Sequence, residues 1–205
     1  MSKKHRIILI LIVIFSFLIR FRHLDSNPLG FFCDEASAGV DAASILKTGQ
    51  DQHGEKFPLF FKGFNYDNVG PYEIYPIIPF IKLFGLNETA VRLPGVVGSG
   101  LEIIIFFFIL CHFIPPSFAL IGSFFFSISP WYFYNTRMGM GGYYSWSLLT
   151  SLSLLFLIKA EKGRKIHYYL FSLFIAMACY SYSPSRVISP LFFLLTVALL
   201  VLKKK

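Results

Sequence analysis

The sequence predicts an all-α polytopic membrane protein, with about six transmembrane helices and a large outer loop containing interfacial helices. Three observations carry that prediction. The 205 residues are 55% hydrophobic and only 15% charged, whereas about a quarter of residues are charged in soluble domains. Several apolar runs approach the roughly 20 residues needed to cross a bilayer. Basic residues gather in short segments beside those runs, as they do on the cytoplasmic side of membranes. The reading is one transmembrane domain over 1–205, with residues 22–91 forming an extracytoplasmic loop within it.

The first span is placed at 7–21, behind Lys3, Lys4 and Arg6. No small-x-small cleavage pattern precedes Arg20, so this run reads as an uncleaved anchor rather than a signal peptide. The chain then exits into the outer loop. Within it, 35–47 repeats small and apolar residues at helical spacing through Ala36, Val40, Ala43 and Leu46 or Lys47. Asp34 is placed to cap that helix and Gly49 to end it. A second short helix is predicted over 72–84, interrupted by Pro76 and Pro79, and both are expected along the membrane interface. The Gly-, Asn- and Asp-rich stretch between them reads as ordered loop.

The remaining spans are placed at 92–113, 117–134, 143–159, 167–182 and 187–202. Pro115-Pro116 turns the chain between the second and third, and Trp131-Tyr132 is placed at an interface. The cluster Lys159, Lys162, Arg164 and Lys165 and the final Lys203-Lys204-Lys205 then fall on the same side as the N-terminus. The net charge of +8 is therefore topological charge rather than a nucleic-acid footprint. Cys33, Cys111 and Cys179 show neither a disulfide framework nor metal spacing.

Chemistry-bearing residues fall into four sets. Asp34 and Glu35 stand together at the outer end of the first span, beside Phe31 and Phe32. As a helix start they would favour the helix dipole; a carboxylate near low-dielectric surroundings also suits a general base. The two roles are compatible. Asp51, His53, Asp67, Glu73 and His23 invite a metal, but no ligand spacing accompanies them and no metal or cofactor is predicted. Arg92, Arg137 and Arg186 lie at predicted outer ends, where positive-inside statistics disfavour them. Interfacial snorkelling is one explanation; bidentate binding of a lipid-linked phosphate is the other. Glu102 falls inside a span, where lipid exposure is costly, and no partner for it can be named.

Two long stretches, "DEASAGVDAASILKTGQDQHGEKFPLFFKGF" and "YPIIPFIKLFGLNETAVRLPGVVGSG", resemble the first outer loop and second span of GT-C membrane glycosyltransferases. More narrowly they are similar to the bacterial family 39 group, relatives of protein O-mannosyltransferases and of the aminoarabinose transferase of lipid A. "SPWYFYNTRMGM" and "YSYSPSRVISPL" resemble later outer-face segments of the same proteins. The resemblance implies an inverting transferase moving a hexosyl or pentosyl unit from a polyprenyl-phosphate-linked donor. The acceptor would be a lipid, glycan or protein on the extracytoplasmic face of the cell membrane. It further implies that Asp34 is the catalytic base with Glu35 beside it. Arg137, Arg186 and Arg92 are the candidates near the donor phosphate, on the physical argument for arginine. The chain has fewer spans than full members of that family, so the expectation is an N-terminal part of such an enzyme. A non-catalytic transporter that binds lipid phosphate, or a scaffold subunit, would use the same arginines without bond breaking.

Overall fold

The computed structural model describes residues 1–63, 68–139, 141–161 and 163–203. Asp67, Lys162, Lys204 and Lys205, which figure in the sets above, lie outside the described residues. The first helix, α1 (Lys3–Phe21), starts at a reciprocal cap in which Ser2 Oγ accepts the His5 N–H at 3.3 Å and His5 Nδ1 accepts the Ser2 N–H at 3.4 Å. Irregular chain leads to α2 (Cys33–Thr48), closed by Gly49 in the left-handed region at φ 71°. Two-residue strands β1 (Phe61–Lys62) and β2 (Asn68–Val69) pair antiparallel, Phe61 opposite Val69. There follow α3 (Pro71–Ile74), a 3-10 turn over Tyr75–Ile77 and α4 (Ile78–Phe84). The interruption foreseen around the two prolines is this 3-10 turn, with Pro76 inside it.

The apolar helices are α5 (Glu88–Phe113), α6 (Pro116–Ile128), α7 (Pro130–Arg137), α8 (Gly141–Ala160), α9 (Ile166–Ala178) and α10 (Ser185–Lys203). Three stretches, Glu88–Phe113, Gly141–Ala160 and Ser185–Leu202, are long and apolar enough to cross a membrane. Apart from the paired strands the described regular elements are helical, and the chain is an all-α membrane protein.

The structure departs from the predicted spans at one place above all. The single span 117–134 is two helices broken at Ser129-Pro130, because proline has no N–H and drives the preceding residue out of the α region; Ser129 sits at ψ 126°. The 13 residues of α6 reach about 20 Å, against a hydrocarbon core of about 30 Å. The break also separates the aromatic pair. Trp131 is exposed, but Tyr132 is 2% exposed and turned into the bundle. The buried face of α2 is likewise shifted from the expected one: Ala43 is buried as expected, but Val40 and Leu46 face out, and Ala38, Ala42 and Ile45 pack inward. The burial of Glu35 and Asp41 in hydrogen bonds selects that face.

Within the bundle, α5 packs against α1, α6 and α8, and α8 against α9. Leu9, Ile12, Ile103, Phe107, Ala119 and Leu120 form the core among α1, α5 and α6. A second core joins Ala38, Ala42 and Ile45 of α2 to Ile74, Ile77, Ile81 and Val91. The helix ends are sorted. His5 Nε2 and Ser117 Oγ lie 3.3 Å apart and His112 Nε2 lies 3.8 Å from Glu161 Oε2, tying together the α1 start, the α6 start and the α5 and α8 ends. The α2–α4 segment covers the opposite end.

Candidate active site

The chain between α1 and α2 has few regular hydrogen bonds, so its carbonyls need other donors. Two arginines supply them. Arg137, ending α7, donates from Nη1 to Ile19 O and Arg22 O, both at 3.0 Å, and from Nη2 to His23 O at 3.1 Å and Asn27 O at 2.7 Å. Arg92, near the start of α5, donates from Nη1 to Leu24 O at 2.8 Å and Pro28 O at 3.0 Å, and from Nη2 to Gly30 O at 2.6 Å. The remaining side of its fork meets Glu35: Nε to Oε1 at 2.9 Å and Nη2 to Oε2 at 3.0 Å. Both partners are fully buried. Glu35 also accepts the N–H of Phe32 at 3.0 Å and of Gly139 at 2.5 Å. Burial acts to raise the proton affinity of Glu35, but the Arg92 guanidinium and the two amides outweigh it and hold the carboxyl below its usual value.

Asp34 is thereby corrected as the cap. Phe32 occupies the N-cap position, and Glu35 at the third helical position reaches back to its N–H. The exposed Asp34 carboxylate lies in the first turn of α2 but caps none of its backbone; its one hydrogen-bond donor among the described residues is the Cys33 thiol, at 3.7 Å. It lines a cavity of about 180 Å³ together with Ser37, Asp41, Glu73, Tyr143 and Tyr182. The cavity lies between α2, α3, the start of α8 and the turn from α9 to α10. Glu35, Arg92 and Arg137 are not among its lining residues. The sequence groups them with Asp34 or with a donor phosphate; the structure has them holding the loop that leads into α2 and Asp34. Arg186, the third predicted arginine, is placed differently. It is exposed, donates to Asn68 O at 2.7 Å, and lies over the Phe60 ring beside the cavity.

Glu73 is the residue whose part the sequence misses. It sits in the first turn of α3, where the beginning of α8 comes down on it. A Cβ on Gly141 would lie 2.5 Å from the Glu73 Cα, and one on Gly142 would lie 2.6 Å from its Oε1. Only glycine lets the backbone approach so closely, and the Gly142 amide lies beside the carboxylate. Burial pushes the Glu73 proton affinity up to about 7. The Asp34 charge adds to that rise, and the Gly142 and Gly70 amides and Arg186 oppose it. Glycines at 139, 141 and 142 were the available signal, since such density in an apolar chain marks close backbone approach.

Asp41 is buried and accepts from the Gln52 N–H at 3.0 Å and Gln52 Nε2 at 3.2 Å. Burial raises its proton affinity. Asp51 Oδ1 caps the neighbouring turn through the His53 and Glu55 N–H groups at 2.9 and 2.8 Å. Among the described residues, no group of three or more His, Cys, Asp or Glu side chains is arranged to hold a metal ion.

Residues 69–205 match the family of dolichyl-phosphate-mannose-protein mannosyltransferases. The chain belongs to this family. It is accordingly a membrane glycosyltransferase of the GT-C type. The matched stretch contains Glu73, the glycines at 139, 141 and 142, Tyr143, Tyr182 and Arg186; Asp34 and Glu35 precede it. No curated protein and no solved structure matches the chain.

Proposed function

We propose that this mannosyltransferase-family chain moves a sugar from a polyprenyl-phosphate-linked donor to an acceptor hydroxyl at the cavity, with Asp34 as general base. The acceptor oxygen attacks the anomeric carbon from the face opposite the phosphate. The new C–O bond forms as the bond to phosphate breaks, the electron pair leaves on the polyprenyl phosphate, and the hydroxyl proton passes to the Asp34 carboxylate. Displacement in this sense inverts the anomeric centre. Positioning and charge stabilisation carry most of such a reaction. Arg186 is the cation beside the cavity suited to the departing phosphate, and Glu73, near neutrality in its proton affinity, shares the cavity with the base.

One observation carries this reading: a carboxylate with no backbone to cap opens into a cavity at the bundle end opposite Lys3, Lys4 and Arg6. With those basic residues cytoplasmic, the cavity belongs on the extracytoplasmic face, within a single transmembrane domain. Sugar transfer in membranes carrying the protein tests it. Asp34→Asn should cut turnover by about 100- to 10,000-fold, and a variant with wild-type turnover refutes the base.

A further inference from the structure

Glu102 has no cationic partner among the described residues, although it is buried in the middle of α5. Its carboxylate is met by hydroxyls instead. Oε1 accepts from Ser147 Oγ at 2.5 Å and Ser151 Oγ at 3.2 Å, one turn apart on α8; Oε2 accepts from Tyr132 Oη on α7 at 3.0 Å. Other hydroxyls on the apolar helices turn back to carbonyls of their own helix: Ser99 to Val96, Ser123 to Ala119, Ser153 to Thr150 and Thr196 to Phe192. Ser147 and Ser151 give up that local bond to reach across to α5. Tyr132 is fixed from its other side as well, since the buried Arg20 guanidinium of α1 stacks over its ring at 5.3 Å and donates to Thr136 Oγ1 at 2.8 Å.

One carboxylate thus grips α7 and α8 just before and just after the segment that joins them. That segment carries the Gly139 amide to Glu35 and sets Gly142 against the Glu73 carboxylate. We infer that Glu102 is a positioning residue, which fixes the α7–α8 connection from the middle of α5 so that Gly139 stays seated on Glu35 and Gly142 on Glu73 beside the cavity. Its consequence for sugar transfer rests on the glycosyltransferase reading above; its geometric part stands without it.

The test follows the proton affinity of Glu73, using the full chain in membranes and a water-soluble carbodiimide, which reacts with protonated carboxyls. Labelling is read against pH by mass spectrometry of the peptide containing Glu73, separately from that containing Asp34. The groups facing Glu73 are Asp34 from α2, Arg186 from α10, Tyr144 from α8 and Tyr182 from the turn after α9. The wild-type midpoint is expected near 7. Glu102→Ala, and separately the Ser147→Ala/Ser151→Ala pair, should raise it by about one pH unit as the Gly142 N–H withdraws. Glu102→Gln keeps an acceptor for both serines and should restore the wild-type midpoint. An unshifted serine pair, or a glutamine variant as shifted as alanine, overturns the positioning role. If Glu102→Ala does not accumulate, the serine pair decides. Absence of sugar transfer from the wild-type chain would overturn the enzymatic reading and leave this readout intact.

Discussion

Replacing Arg92 by alanine should be among the most damaging single changes outside the bundle core. The guanidinium neutralises the fully buried Glu35 and satisfies the carbonyls of Leu24, Pro28 and Gly30. Its removal leaves Glu35 with only the Phe32 and Gly139 amides. Breaking a buried ion pair by removing one partner costs about 3–5 kcal/mol. Each orphaned carbonyl adds about 1–3 kcal/mol where it stays out of water, although the exposed neighbours Leu29 and Gly30 allow part of the loop to relax. A net loss of about 4 kcal/mol is therefore expected, a large share of the roughly 5–15 kcal/mol that holds a typical protein folded. The assay is thermal unfolding of the detergent-purified chain, with abundance in membranes as a second measure. Arg92→Lys should recover only part of the loss, because a point charge cannot fork between a carboxylate and a loop. Asp34→Asn, one residue away from Glu35 but exposed, should stay within about 0.5 kcal/mol of wild type. A loss below about 1 kcal/mol for Arg92→Ala would place the pair among exposed ion pairs and refute the clamp.

Two further outcomes can be measured on the same preparation. The Glu73 carboxyl has a folded-state value raised from 4.5 to about 7, so between those values the folded chain binds more protons than the unfolded one and stability falls as pH rises. Glu73→Gln should flatten the melting temperature over that window, and an unchanged slope would exclude Glu73 as its source. Gly142→Ala drives a Cβ to 2.6 Å from Glu73 Oε1 and 3.0 Å from Ser181 O. Overpacking of this kind costs about 1–3 kcal/mol, and transfer activity should fall with it; a wild-type melting temperature would show that the approach is looser than described.

The apolar helices were legible because burial in a membrane writes itself directly into composition. The arginines at predicted outer ends were legible as anomalies, yet not in their partners. A guanidinium can donate to phosphate or to carbonyl oxygen, and sequence does not reveal that several carbonyls between α1 and α2 lack helical partners. Asp34 and Glu35 show the same limit. Either could begin a helix, and the choice fell to Glu35 because Arg92, 57 residues further on, compensates its charge. The break at Ser129-Pro130 was written locally but was outweighed by continuous apolarity on both sides. Glu102 was recognisable as costly within a span; that hydroxyls from two other helices would answer it, rather than a base, depends on a packing register no local pattern encodes.

The Gly139 amide reaches Glu35 across 104 residues of chain. A ribosome adding about 5–20 residues per second delivers that glycine some 5–20 seconds after the glutamate it satisfies, and Arg137 arrives on a similar schedule. Throughout that interval the chain between α1 and α2 has a carboxylate and several carbonyls still lacking their final partners. Its ordering is thus a late event of biogenesis, timed by the arrival of α7 and α8, and the nascent loop is open to proteases and chaperones until those helices come into place.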